Sequence, residues 1–166
     1  IKLADGHPLL AGGFWGWTMR ALIFAFSVLI ALGVTFAPAS AAVQVRISLA
    51  SQRMNVMVDG AQYASWTIST GKQGYGTPAG TYRPQSLRVM HRSSRYNWAP
   101  MPHSIFFTRK GHAIHGSYET KRLGRPASHG CVRLHPGNAA QLYALVQRQG
   151  VTNANVVVTG SKTQRR

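Results

Sequence analysis

From Val43 onward, apolar residues recur at every second position in runs too short to be helices. In VQVRISLA, Val43, Val45, Ile47 and Leu49 share one side and polar residues the other, which is the period of a strand half-buried against a core. After a break at Ser51-Gln52, RMNVMV repeats the pattern through Met54, Val56 and Val58. Asp59-Gly60 then supplies a hairpin dipeptide ahead of a third run, Tyr63 to Thr70. Glycine and proline crowd Ser69 to Tyr82, STGKQGYGTPAGTY, a long turn-rich connection into another strand. SIFF (Ser104 to Phe107) and HAIHG (His112 to Gly116) are further short β runs with Lys110-Gly111 turning between them, and Val156 to Val158 is a last buried strand. Only one stretch reads as a helix: Asn138 caps it, Leu142, Leu145 and Val146 form its apolar face, and Gly150 stops it. The expected fold is therefore mainly β, sandwich-like or barrel-like, with one helix in the C-terminal half packed on it.

Before this domain the chain reads differently. MRALIFAFSVLIALGVTFAPASAA opens with Arg20, continues as an apolar run, and carries small residues at Ala37, Ala39 and Ala41, the layout of a secretory signal peptide over 19–41. Its apolar core, Ala21 to Phe36, is shorter than the roughly 20 residues of a spanning helix, so no stable membrane insertion is expected once it is cleaved. Residues 1–18 lack an initiating methionine and read as an upstream non-native extension, with translation starting at Met19. The domain is expected over 43–160, followed by a basic, disordered tail at 161–166.

The charge balance narrows the partners. Nineteen Lys and Arg face three Asp and Glu. With Lys2, Arg20 and Asp5 set aside as part of the leader region, 17 basic residues face Asp59 and Glu119, leaving +15 on the mature chain, most of it within the working domain. Such a field attracts polyanions. On an exported chain these are anionic envelope polymers. Nucleic acid is not expected, because no basic motif interleaved with aromatics is present.

Two carboxylates also exclude chemistries. Paired-carboxylate hydrolysis and carboxylate-built Mg or Ca sites have no residues to work with, and no acid is in evidence to orient a catalytic base. Six histidines and one thiol remain, Cys131 in SHGCVRL. An unpaired cysteine in an exported protein is an inert filler, an intermolecular link or a reactive group. Its neighbours Ser128, His129, Gly130 and Arg133 are poor core companions, which favours reactivity. His115 lies 16 positions upstream across a polar loop that can fold back to bring the two together. A thiol is otherwise mostly protonated at neutral pH and needs an imidazole or a positive field to activate it, so the expectation is a sulfur made anionic by His115. With no acid beside it, the imidazole needs a backbone carbonyl as its orienting partner, and that of Gly116 is nearest. Gly130 allows close backbone approach, so the N–H groups of Gly130 and Cys131 are candidate oxyanion donors. Arg133 alternates onto the side of the nucleophile, where it suits a substrate carboxylate. Zinc through His112, His115, His129 and Cys131 is disfavoured, since strand alternation sets His112 and His115 on opposite faces. No metal or cofactor is expected.

Taken together, TGKQGYGTPAGTY, then AIHGS, then SHGCVRL at this spacing closely resemble the L,D-transpeptidase catalytic domain family of the YkuD type. The resemblance implies a β-sandwich-like fold, a periplasmic or cell-wall location and peptidoglycan stem peptides as substrate. It implies that Cys131 is the nucleophile, forming a thioester on the stem peptide, and that His115 is the proton carrier, oriented by Gly116. Ser128, His129 and Gly130 then shape the loop and oxyanion hole, while Arg133 contacts substrate. The products implied are 3-3 cross-links or attachment of another amine. The alternatives are L,D-carboxypeptidase action or D-amino-acid exchange through the same thioester, and, outside enzymes, a basic envelope-binding protein.

Overall fold

A computed structural model describes residues 42–160. The leader at 19–41, the extension at 1–18 and the tail at 161–166 lie outside the described residues. Among the described residues nine strands form two sheets, accompanied by one α-helix. The strands are β1 (Val43–Ser48), β2 (Arg53–Val58), β3 (Ala61–Thr67), β4 (Gly80–Tyr82), β5 (Ser86–Ser93), β6 (Ala99–Phe106), β7 (Ala113–Gly116), β8 (Val132–Leu134) and β9 (Ala154–Thr159), with helix α1 (Pro136–Gln149) between the last two.

The first sheet runs β3-β2-β1-β9-β4, with β1 parallel to β9 and its other neighbours antiparallel. Asp59 and Gly60 both take left-handed backbone conformations (φ 49° and 82°), as a two-residue turn between twisted strands requires. In β1, Val43, Val45 and Ile47 point inward and are at most 1% exposed, as the alternating sequence predicts. The second sheet runs β5-β6-β7-β8. Between the sheets, Val43, Ile47, Met54 and Val56 join Ile105, Phe107, Ile114, Leu134 and the Leu142, Leu145 and Val146 face of α1 in one cluster. Each such side chain contributes about 1.5–3 kcal/mol when fully buried.

Two elements depart from the sequence reading. The helix begins earlier than Asn138: its N-cap is His135, whose side chain accepts from the Gly137 N–H, and Pro136 fills the first turn, where a missing N–H costs nothing. Gly150 closes it at φ 85°. The larger difference is the β5–β6 hairpin. β5 has no buried residue, and Val89 and Met90 are 62% and 52% exposed side by side, so no alternation marks it. In β6, Pro100 and Pro102 disguise a strand that extends five residues ahead of Ser104. They are tolerated because β7 pairs with β6 only at Ile105 and Phe106, leaving the proline segment with β5 as its single partner.

Candidate active site

Parallel pairing of β7 with β8 sets Ile114 beside Val132, His115 beside Arg133 and Gly116 beside Leu134. Residues opposite each other in a sheet project to the same face, and the face alternates along each strand. Cys131 sits two residues before Arg133, and Cys131, His115 and Arg133 line one cavity of about 620 Å³.

His115 is 6% exposed. Its Nδ1 lies 2.7 Å from the carbonyl oxygen of Gly116. A carbonyl can only accept, so Nδ1 carries the proton and Nε2 offers its lone pair. Burial pushes the imidazole down; the Gly116 bond acts upward and the charges of Arg133 and His91 downward, leaving a pKa of about 4. Gly116 has no room for a side chain: a Cβ there would stand 3.1 Å from both Pro102 Cγ and Pro136 Cα.

Cys131 is half-buried, with Sγ 4.0 Å from the Gly111 carbonyl oxygen. Burial pushes the thiol up, against the smaller opposing effects of the Ala113 backbone and the Arg133 charge. Here the structure departs from the expectation of a preformed thiolate. Both groups are neutral at rest, because the low dielectric that encloses them penalises each charged form.

The loop bearing the nucleophile is braced from within. Ser128 is 1% exposed. Its hydroxyl donates to the Cys131 carbonyl and accepts from the Gly130 N–H at 3.1 Å. Gly130 takes φ 116°, and a Cβ there would lie 3.0 Å from the His112 ring. The glycine-rich segment after β3 closes on this loop from the other side. Thr70 O accepts from the Ala127 and Ser128 N–H groups, the Lys72 N–H donates to Ser128 O, and Thr77 Oγ1 donates to Gly130 O at 2.8 Å. One expected oxyanion donor is therefore occupied, the Gly130 N–H being taken up by Ser128. The Cys131 N–H makes no hydrogen bond among the described residues. Its peptide plane is held by Thr77 on the carbonyl side, and in a trans peptide that directs the N–H the opposite way.

The remaining predicted residues also meet at the cavity. His129 stacks on Tyr96 at 4.4 Å between centroids and meets the edge of Tyr75 at 4.6 Å. Its pKa is lowered by burial first and then by Lys72 and Arg133. Arg133 is not unpartnered: Nη1 lies 2.6 Å from Glu119 Oε2. His112 lies ahead of β7, not within it, so strand alternation does not govern it. It lines the same cavity as His115, with Nδ1 2.9 Å from Thr108 Oγ1. Among the described residues no three His, Cys, Asp or Glu side chains gather to hold a metal ion.

Sequence reasoning missed Glu119, Thr77, Tyr75 and Tyr96 as site residues. Glu119 was readable only as a loop acid, although its place three residues after Gly116 was a signal. Thr77 and Tyr75 lie inside the motif already singled out.

Residues 42–160 match the family model of the L,D-transpeptidase catalytic domain, YkuD. The chain belongs to this family. Among solved structures, this L,D-transpeptidase domain resembles the L,D-transpeptidase of Stackebrandtia nassauensis, with 26% identity and a TM-score of 0.65 over 76% of this chain and 60% of that one. It also resembles that of Xylanimonas cellulosilytica, with 27% identity and a TM-score of 0.59 over 74% and 63%. The fold is shared with an L,D-transpeptidase from Mycobacterium smegmatis at 23% identity, with a TM-score of 0.66 over 72% and 59%. The chain thus spans about three-fifths of the length of these structures. No curated protein matches it. Among the described residues, no helix is long and apolar enough to cross a membrane.

Proposed function

We propose that this domain is a peptidoglycan L,D-transpeptidase that transfers a stem-peptide acyl group through a thioester on Cys131. The observation that carries the reading is the single cavity onto which the lone thiol and the imidazole open, with the His115 Nδ1–H tied to the Gly116 carbonyl. That bond points the basic Nε2 away from the backbone, so it can receive a proton.

Sγ attacks the carbonyl carbon of the bond ahead of the terminal D-residue while its proton passes to His115 Nε2. The developing oxyanion is received by the Cys131 N–H. On collapse the C–N bond breaks, and the proton on Nε2 goes to the departing amine, which leaves as a free D-amino acid. An incoming amine then attacks the thioester and gives its excess proton to Nε2. The thiolate departs and recovers that proton, restoring the neutral pair. Starting and ending neutral suits the depressed imidazole and raised thiol, since neither charged form must be held between turnovers.

We further propose that the domain works outside the cytoplasm, in the periplasm or cell wall, after removal of 19–41 as a leader. The +15 balance of the mature chain holds it to anionic envelope polymers. Attachment to isolated cell wall should weaken when salt rises from about 50 mM to about 500 mM, because screening shortens the reach of each charge. Unchanged attachment would remove the electrostatic part.

Mass spectrometry after incubation with a disaccharide tetrapeptide tests the reaction. Loss of the terminal residue together with a 3-3 linked dimer is expected, and Cys131→Ala should abolish both while folding normally. Loss without a dimer would assign hydrolysis instead, and turnover by the alanine variant would exclude the thioester.

A further inference from the structure

The cavity carries one carboxylate among several cations. Arg95, Arg109, Lys110 and Arg133 line it, and Glu119 is the only acid to do so among the described residues. If the substrate presented only carboxylates here, an acid in this place would repel it.

The pairing of Glu119 is incomplete in an informative way. Arg133 Nη1 at 2.6 Å and Arg122 Nη1 at 3.7 Å both approach the same oxygen, Oε2. Oε1 accepts nothing among the described residues, and the Arg133 side chain makes no second hydrogen bond there. Arginine–carboxylate pairs are frequently bidentate, both oxygens on the fork, and this one is not. Instead the arginine keeps free donors and the acid a free acceptor, next to each other. The Arg133 side chain is 18% exposed and that of Glu119 53%, so the arginine is set in the wall while the acid stands at its open edge. The loop after β7 holds the acid there, with the Glu119 N–H donating to Ser117 Oγ at 3.2 Å.

We infer that Glu119 and Arg133 form a receptor for the zwitterionic end of an α-amino acid, Arg133 taking its carboxylate and Glu119 its ammonium. Such a group carries its opposite charges on one carbon, a spacing matched by two side chains in direct contact. This rests on the acyl-transfer reading above and adds to it a specificity-determining pair. Two sources present the chemistry: a donor stem whose third residue ends in an amino-acid group, as diaminopimelate does, and a free D-amino acid entering as acceptor.

The test compares release of terminal D-alanine from two tetrapeptides whose third residue is diaminopimelate or norleucine, together with exchange of labelled D-alanine into the former. The wild-type enzyme should favour the diaminopimelate peptide by about tenfold or more in kcat/KM, as hydrogen bonds to charged groups allow. Glu119→Gln should shrink that ratio towards unity through KM rather than kcat, and Glu119→Asp should restore part of it. If the ratio persists in Glu119→Gln but the KM for D-alanine in exchange rises about tenfold, the zwitterion seated is the incoming amino acid. Wild-type values for both quantities in a folded Glu119→Gln, with an unaltered melting temperature, would overturn the receptor. No release from either peptide by the wild-type enzyme would overturn the acyl-transfer reading and the receptor with it.

Discussion

The pH dependence of thiol alkylation is the sharpest measure of how this site stores its proton. His115 has a pKa of about 4 and burial lifts the Cys131 thiol above its usual 9.0. Moving the proton from sulfur to nitrogen at rest therefore costs at least about 7 kcal/mol before the charges attract, at 1.36 kcal/mol per pKa unit. Even for unit charges as close as about 4 Å, attraction would return only about 4 kcal/mol at an effective dielectric of about 20. The neutral pair wins. At pH 7 the thiolate then amounts to less than about 1% of the enzyme. The rate of iodoacetamide modification, followed by intact mass, should rise about tenfold per pH unit from about pH 5 to about pH 8 with no levelling. A plateau across about pH 5 to 7, of the kind an ion-paired thiolate gives, would refute the reasoning.

Other outcomes follow from the same geometry. Thr77→Val removes the donor that fixes the Gly130–Cys131 peptide; kcat should fall by at least about tenfold, short of the 10²–10³ expected for losing an oxyanion donor itself, while thiol alkylation stays near wild type. Gly130→Ala must hold a side chain at φ 116° with Cβ 3.0 Å from His112, and calorimetry should register a loss of about 1–3 kcal/mol. His115→Ala should lower transfer about 10²–10⁴-fold in steady-state kinetics. For acid stability the sign is set by the depressed imidazole: the unfolded chain binds this proton below about pH 6.5, the folded one only below about 4. Stability should drop as pH falls through that window, by about 3 kcal/mol in all, and His115→Gln should remove that part of the slope in denaturant titrations.

Some of this was legible in one dimension and some was not. Alternation in β1 and β2, the Asp59-Gly60 turn and the apolar face of α1 are local consequences of side-chain periodicity, and they appear as read. The β5–β6 hairpin was hidden because its outer face meets solvent and its prolines sit where a neighbouring strand is missing. Periodicity cannot report an unpaired strand edge. The alternation applied to His112 does not govern it for a related reason, since it lies one position outside the strand. Cys131, His115, Gly116, Gly130 and Arg133 were named from composition, spacing and alternation, and Ser128 and His129 from the family resemblance. Their partners Glu119 and Thr77 were not, because a salt bridge spanning 14 positions and a hydrogen bond spanning 53 leave no trace in a local pattern.

By itself the sequence determined the menu: one thiol, a shortage of acids, a strongly positive domain, and strands whose alternation commits one face to a core. Only the tertiary structure decided how those groups behave. Parallel pairing of β7 with β8 gathers His115, Cys131 and Arg133 around one cavity, and enclosure there holds the thiol and imidazole neutral where sequence favoured a charged pair. The reason is physical: residue type sets what a group can do in water, while pKa, free donors and free acceptors depend on what the fold removes from water and what it leaves facing it.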